Sequence, residues 1–349
     1  MGSGAAPRSV SAVGSCGVAE SQSPPPPPIT APEPNGRQTG APRTSSRTDT
    51  PTSLECVANV SEGRDQRVLR ELAGACGDVL LDLHSDLDHH RSVFTLAGPP
   101  DAVQEAARSL ARMAVEVLDL SGHDGAHPRF GVLDVVPFVS LDGLQTPRRQ
   151  PQGQPNLGPA IAQRDAFASW AGRALHLPCF LYGPLPGGQV RSLPEVRRGA
   201  FSALRPDAGP GAPHPTAGAV AVGARPVLVA FNIWLDGADL AVARELASSL
   251  RGPYVRALGF ALASGIQVSC NLLDAVAVGP AEVYDRVATL LEATGSERLR
   301  GAVIRRAELV GLIPAAAIER IPPTRWAELD LSPDRTIEAR LDALAGRGR

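Results

Sequence analysis

The fold is decided around the stretch RSVFTLAGPPDAVQEAARSLARMAVEVLDL, residues 91–120. Its first eight residues are rich in apolar and β-branched side chains between turn residues, a composition that favours a strand. Residues 100–120 carry apolar side chains at the three- and four-residue spacing of a long amphipathic helix. A strand followed directly by a long helix is therefore predicted here.

The neighbouring periodicities complete a unit around that stretch. Strands at 55–60 and 78–83, with a helix at 65–75 between them, precede it, and a buried strand follows at 131–141. The order is βαββαβ. Beyond a helix at 159–175 and a short strand at 179–182 the order returns, with a strand at 224–235, a helix at 238–251, a hairpin across Gly265, a helix at 281–294 and a strand at 301–311.

This repeated order predicts an α+β fold of two ferredoxin-like (βαββαβ) subdomains packed around a cleft, because helices cover one face of each antiparallel sheet and the other face needs a partner. Residues 1–52 are rich in Pro, Ser, Gly and Thr and are predicted to be a disordered tail. The expected boundaries are 1–52 for the tail, 53–223 and 224–322 for the subdomains, and 323–349 for a charged C-terminal extension.

Composition excludes several classes of function. The chain has 349 residues, 43% of them hydrophobic, and a net charge of −2, which offers no basic surface for nucleic acid. All 34 basic residues are arginine, so P-loop and Schiff-base lysine chemistry is excluded. The five scattered cysteines form no CxxC pair and indicate a reducing cytoplasm. Neither a secretion signal nor a membrane span is indicated.

Candidate chemistry lies in three loops of the first unit. In NVSEG, Asn59 and Ser61 precede a helix with Glu62 in its first turn; a plain helix cap is the alternative interpretation. HSDLDHHR, residues 84–91, is dense in His and Asp, and a solvated hairpin loop is its alternative.

The third loop, SGHDGAHPRF, contains His127 and Arg129 just before the strand at 131–141. Pro128 forces His127 into extended geometry, and the nearby arginine favours a neutral imidazole that can act as a general base. A histidine that only bonds its own turn is the alternative. Asp134, inside the apolar run, is interpreted as a buried structural carboxylate.

Taken together, ECVANVSEG, RSVFTLAG, HPRFGVLDVVPF, LYG, GARPVLVAFNIWL and VSCNLLD resemble, in order and spacing, the signature segments of the glutamate formiminotransferase family, also the first half of formiminotransferase-cyclodeaminase. The resemblance covers roughly residues 54–322. It implies transfer of a formimino group from N-formimino-L-glutamate to tetrahydrofolate in histidine degradation, by a cytoplasmic homodimer whose partners are small molecules and folate, with no nucleic acid, membrane or metal.

The resemblance also implies roles for particular residues. The family's catalytic histidine falls on His127, the proton shuttle between the folate N5 and the departing glutamate nitrogen. The folate-lining segment falls on Gly209, Pro210, Gly211, Ala212, Pro213, His214, Pro215, Thr216, Ala217 and Gly218. The substrate site is expected to include Asn59, Ser61, Glu62, His84, Arg91, Arg129, Gly131 and Asn232.

Other functions stay open at this point. Animal members of the family have an acidic residue where this chain has His84 and an asparagine where it has His90, so the chain could bind folate or another small molecule without this activity. The HSDLDHH loop could instead hold zinc in a hydrolase, with His123 and His127 as further ligands.

Overall fold

A computed structural model of the chain describes residues 53–126, 129–141, 144, 156–293 and 299–347. All of them belong to one compact unit, Asp49–Arg349. The predicted tail at 1–52 lies outside the described residues, as do His127 and Pro128. Within the described part of the chain, no helix is both long enough and apolar enough to cross a bilayer.

The first predicted βαββαβ unit is confirmed. Its elements are β1 (Leu54–Val60), α1 (Gln66–Cys76), β2 (Leu80–Asp86), β3 (Arg91–Gly98), α2 (Pro100–Val117) and β4 (Leu133–Ser140). The strands lie in the order β2-β3-β1-β4, and every neighbouring pair is antiparallel. Because β2 runs on to Asp86, His84 lies in a strand rather than in the loop predicted at 84–91.

Three further strands extend this sheet. The chain continues through α3 (Gly158–Ala174), β5 (Cys179–Pro184), β6 (Val190–Arg191), α4 (Leu193–Gly199) and β7 (Val220–Arg225). Strand β7 pairs in parallel with both β4 and β5, which gives the order β2-β3-β1-β4-β7-β5-β6. The single strand predicted at 224–235 is thus wrong at its start: β7 ends before Pro226 and the next strand begins at Val229.

The second predicted βαββαβ unit is confirmed as well. It comprises β8 (Val229–Asp236), α5 (Leu240–Leu250), β9 (Val255–Leu262), β10 (Gly265–Leu272), α6 (Pro280–Glu292) and β11 (Val303–Val310). The strand order β11-β8-β10-β9 repeats the order of the first unit. Two helices follow, α7 (Ala315–Ile318) and α8 (Ile337–Arg347).

Each sheet buries its apolar core on the face that its helices cover. In β1 the alternate residues Leu54, Cys56, Ala58 and Val60 are fully buried in the first core. The opposite faces of the two sheets carry polar side chains together with smaller apolar clusters, and turns of the two sheets meet there. His89 Nε2 lies 3.1 Å from Gln267 Oε1, and the Asp88 carboxylate accepts from the backbone nitrogen of Ser264. We call the space between these faces the inter-sheet cleft.

Candidate functional site

Three residues predicted for the substrate site share the cleft face of the first sheet. His84 in β2, Val93 in β3, Asn59 in β1 and Val135 in β4 are successive partners across the sheet and form one row. Neighbouring strands are about 4.8 Å apart, so the Cα atoms of His84 and Asn59 are about 10 Å apart. The Arg91 guanidinium donates to the Asn59 side-chain oxygen, which places it at the same row.

Three arginines gather around one buried carboxylate at this face. Asp134 is fully buried; its Oδ2 accepts from Arg197 Nη2 at 2.5 Å and its Oδ1 from the Phe130 backbone nitrogen at 2.9 Å. Burial lowers the pKa of Arg91 to about 10, and the charge of Asp134 partly offsets this effect. Burial also lowers the pKa of Arg129, and the charge of Asp134 again acts in the opposite direction. The guanidinium groups of these arginines can attract a carboxylate ligand.

The segment NVSEG is tied to this face rather than to the helix that follows it. Asp65 is the N-cap of α1, so a capping role for Asn59 or Ser61 is not observed. The Ser61 hydroxyl donates to the Gly131 carbonyl at 2.8 Å, and the Ser61 backbone nitrogen donates to the Val132 carbonyl at 2.7 Å. Ser61 therefore fixes the chain just after the HPRF segment.

Glu62 joins the same segment to the turn between β2 and β3. Burial raises the pKa of Glu62, but hydrogen bonds from the backbone nitrogens of Arg64 and Asp65, together with the nearby His90 ring, outweigh it and lower the pKa. Glu62 Oε1 lies 3.2 Å from His90 Nε2. The His90 ring stacks on that of His123 with 4.0 Å between centroids, so the two loops are held face to face.

The described flanks of His127 lie against that turn. The Ala126 backbone nitrogen donates to the Asp88 carbonyl at 3.2 Å, and Arg129 donates to the Gly125 carbonyl and to His123 Nδ1. A Cβ on Gly125 would come within 2.3 Å of the His89 carbonyl oxygen, so the loop can approach this closely only with glycine there.

The predicted folate segment, residues 209–218, forms a compact loop directly beside residues 130–132. The His214 and Gly218 backbones exchange hydrogen bonds of 2.8 and 3.0 Å, and His214 Nδ1 accepts from the Ala217 backbone nitrogen at 3.0 Å. Val132 N donates to the Ala217 carbonyl at 3.0 Å. At Gly131 a Cβ would come within 1.8 Å of the Ala219 carbonyl oxygen, which leaves no room for a side chain between the two segments.

The second sheet contributes a carboxylate that the sequence analysis missed. Glu308 in β11 accepts at Oε2 from Asn232 Nδ2 at 3.0 Å and from Trp234 Nε1 at 2.9 Å. Its Oε1 lies 4.0 Å from His84 Nε2 across the cleft. Asn232 and His84, predicted for one site from distant segments, thus meet through Glu308.

The structure therefore brings the predicted substrate residues into two adjoining groups, one around Asp134 and one around Glu308. Sequence reasoning missed Arg197, Trp234 and Glu308. Only the alternation of polar and apolar residues in VIRRAELV could have indicated that Glu308 faces away from the core.

Two other features lie apart from these groups. Among the side chains that the structure describes, no three His, Cys, Asp or Glu residues are arranged to hold a metal ion, and His127 stands outside that set. A surface cavity of about 470 Å³ between β6 and α4 contains none of the predicted site residues; its lining includes Leu185, Arg191, Glu195, Arg198 and Leu204.

Comparison with known proteins adds an independent observation. Residues 53–225 match the formiminotransferase domain, N-terminal subdomain. The glutamate formimidoyltransferase of Streptococcus pyogenes serotype M1 is 35% identical over 286 residues, which cover 76% of this chain and 90% of that protein. A glutamate formimidoyltransferase of Thermoplasma acidophilum is 30% identical and is covered to 89%. The formimidoyltransferase-cyclodeaminase of Sus scrofa is 35% identical, and this chain spans 51% of its length.

Proposed function

The chain belongs to the formiminotransferase family, and we propose that it transfers the formimino group of N-formimino-L-glutamate to tetrahydrofolate. The observation that carries the proposal is the backbone contact between residues 130–132 and 217–219. It brings the flank of His127 against the segment expected to line the folate, next to three arginines suited to the carboxylates of glutamate.

The arginine group and the folate loop divide the binding between them. Arg91 and Arg129 bring guanidinium charge to this face of the sheet, which attracts carboxylates, and Arg197 adds a third positive charge beside Asp134. The loop at 209–218 carries few charges and offers backbone groups to the edge of a flat pterin ring. The two ligands would then lie side by side at the described flank of His127, residues 129–132.

Amidine transfer requires one proton to move between two nitrogens. N5 of tetrahydrofolate bonds to the formimino carbon and gives its proton to the His127 imidazole. The bond from that carbon to the glutamate nitrogen then breaks, and the imidazolium returns the proton to this nitrogen. The products are 5-formiminotetrahydrofolate and L-glutamate, and His127 ends in its starting state.

The variant His127→Ala tests this role. We expect transfer to fall by roughly 10² to 10⁴, the range for loss of a general acid–base group, while folate still binds. The activity of the parent should rise with pH as the imidazolium is lost, and that limb should vanish in the variant. Folate binding is followed by the rise in melting temperature that a ligand of the native state produces.

A matched control is His176→Ala, because His176 is an exposed histidine after α3, outside the predicted site. It should keep both binding and turnover. Transfer at the parent rate by a folded His127→Ala protein would assign the proton shuttle to another residue.

A further inference from the structure

Glu308 is a carboxylate held rigidly on the cleft face of the second sheet. Asn232 and Trp234 both donate to its Oε2, at 3.0 and 2.9 Å, and both neighbours are nearly fully buried. Two fixed donors on one oxygen set the plane of the carboxylate and leave Oε1 as the variable side. The side chain of Glu308 is 14% exposed, so it is not sealed in the core.

The Oε1 side of Glu308 has unused hydrogen-bonding capacity. Arg306 Nη1 lies 3.4 Å away and His84 Nε2 lies 4.0 Å away, and no hydrogen bond to Oε1 comes from any residue that the structure describes. Burial raises the pKa of Glu308, but the hydrogen bonds from Asn232 and Trp234 and the charge of Arg306 outweigh it and lower the pKa. The oxygen is therefore anionic at neutral pH and can accept a further donor.

The position of Glu308 complements the arginine group. His84, which lies next to Glu308, is one end of the row that leads through Val93 to Asn59. The Cα atoms of His84 and Asn59 are about 10 Å apart, and Asn59 accepts a hydrogen bond from Arg91. The cleft thus has a fixed carboxylate at Glu308, beside Arg306, and a group of arginines around Asp134. A ligand of matching polarity has carboxylates at one end and a cation at the other.

N-formimino-L-glutamate has this polarity, since its amidine is protonated at neutral pH and its other end carries two carboxylates. We propose that Glu308 is a specificity-determining residue whose Oε1 accepts a hydrogen bond from the terminal nitrogen of the amidinium. Glu308 then distinguishes a cationic formimino donor from a neutral formyl donor. This inference rests on the proposed function and names the group that recognises its substrate.

The test compares two ligands that differ only in that charge. N-formimino-L-glutamate and N-formyl-L-glutamate are titrated calorimetrically into the full chain and into Glu308→Gln. We expect the parent to bind the formimino ligand at least about tenfold more tightly. The variant should lose about ten- to hundredfold in affinity for the formimino ligand, as expected for one charge-assisted hydrogen bond, with little change for the formyl ligand.

The glutamine retains an oxygen for the Asn232 and Trp234 donors, so the packing is kept. The control is Asp236→Asn. It removes the charge of a carboxylate in β8, at an alternate position to Asn232 and Trp234, that pairs with Arg305 at 3.7 Å. It should leave both affinities unchanged.

The outcomes bear on the two proposals as follows. A parent that binds both ligands equally, or a variant that loses affinity for both alike, overturns the role of Glu308. A parent that discriminates between the ligands but does not transfer the formimino group overturns the proposed function alone. Binding of neither ligand overturns both.

Discussion

Glu55 makes the stability of this fold depend on pH. It lies in β1 on the cleft face, with Ala97 and Val139 as its partners in the neighbouring strands. Both partners are fully buried beside Ile337 of α8, and Glu55 itself is 4% exposed. Burial raises the pKa of Glu55 from its ordinary value of 4.5 to about 7; the charge of Arg225 opposes the rise and that of Glu338 adds to it.

The direction of the effect follows from the raised pKa. A carboxyl group that is harder to ionise in the folded state costs nothing below its unfolded pKa and destabilises the fold as pH rises through 4.5 toward 7. One pKa unit corresponds to about 1.4 kcal/mol, so the full cost above the folded pKa is about 3 kcal/mol. Between about pH 5.5 and about pH 8 the cost grows by about 2 kcal/mol.

Glu55→Gln removes the ionisation and keeps the shape. Urea unfolding of parent and variant at the two pH values should show the variant gaining about 2 kcal/mol relative to the parent on going from the lower to the higher pH. The control Glu116→Gln alters an exposed carboxylate at the end of α2 and should show no such pH-dependent gain. A constant difference between parent and Glu55→Gln would refute the raised pKa of Glu55 and the burial that causes it.

Two further substitutions test the site. Gly131→Ala should push residues 130–132 away from Ala219, cost roughly 1 to 3 kcal/mol in urea unfolding and reduce transfer. Gly74→Ala in α1, with open space at its Cβ position, should do neither. Normal transfer by Gly131→Ala would contradict the close approach of the two segments. Asp134→Asn removes the charge of the buried carboxylate that pairs with Arg197 and should lower the free energy of unfolding by about 3 kcal/mol. Asp285→Asn, whose exposed pair with Arg325 lies on the surface, should lower it by less than about 1 kcal/mol. Equal losses would contradict the buried charge cluster.

The two βαββαβ units could be predicted from the sequence because their hydrophobic periods are strong. The alternate core residues of β1 and the helical spacing in α2 each indicate one structure and agree with the order of the elements. Strand β7 was missed because it is short, buried on both sides and adjacent to β8, so the two runs read as one strand. Pro226 was the local signal that separates them.

The site was only partly predictable for a different reason. Asn59, Arg91 and Arg129 stand in or next to recognisable motifs, whereas Glu308 and Arg197 reach the cleft from segments with no motif of their own. Their roles depend on which strands become neighbours, and the pairing of β11 with β8 is a property of the folded chain. The bond between Asp134 and Arg197 joins residues 63 positions apart and has no counterpart in any local pattern.

The measurement that tests the central proposal most directly is transfer itself. The purified chain is incubated with N-formimino-L-glutamate and tetrahydrofolate, and the folate is analysed by mass spectrometry while the released glutamate is measured enzymatically. The proposed function predicts a formimino-folate that forms in step with glutamate, catalytically, and at a rate that His127→Ala lowers by roughly 10² to 10⁴. Saturable binding of both ligands without any formimino-folate would contradict it and leave a binding protein on a formiminotransferase fold.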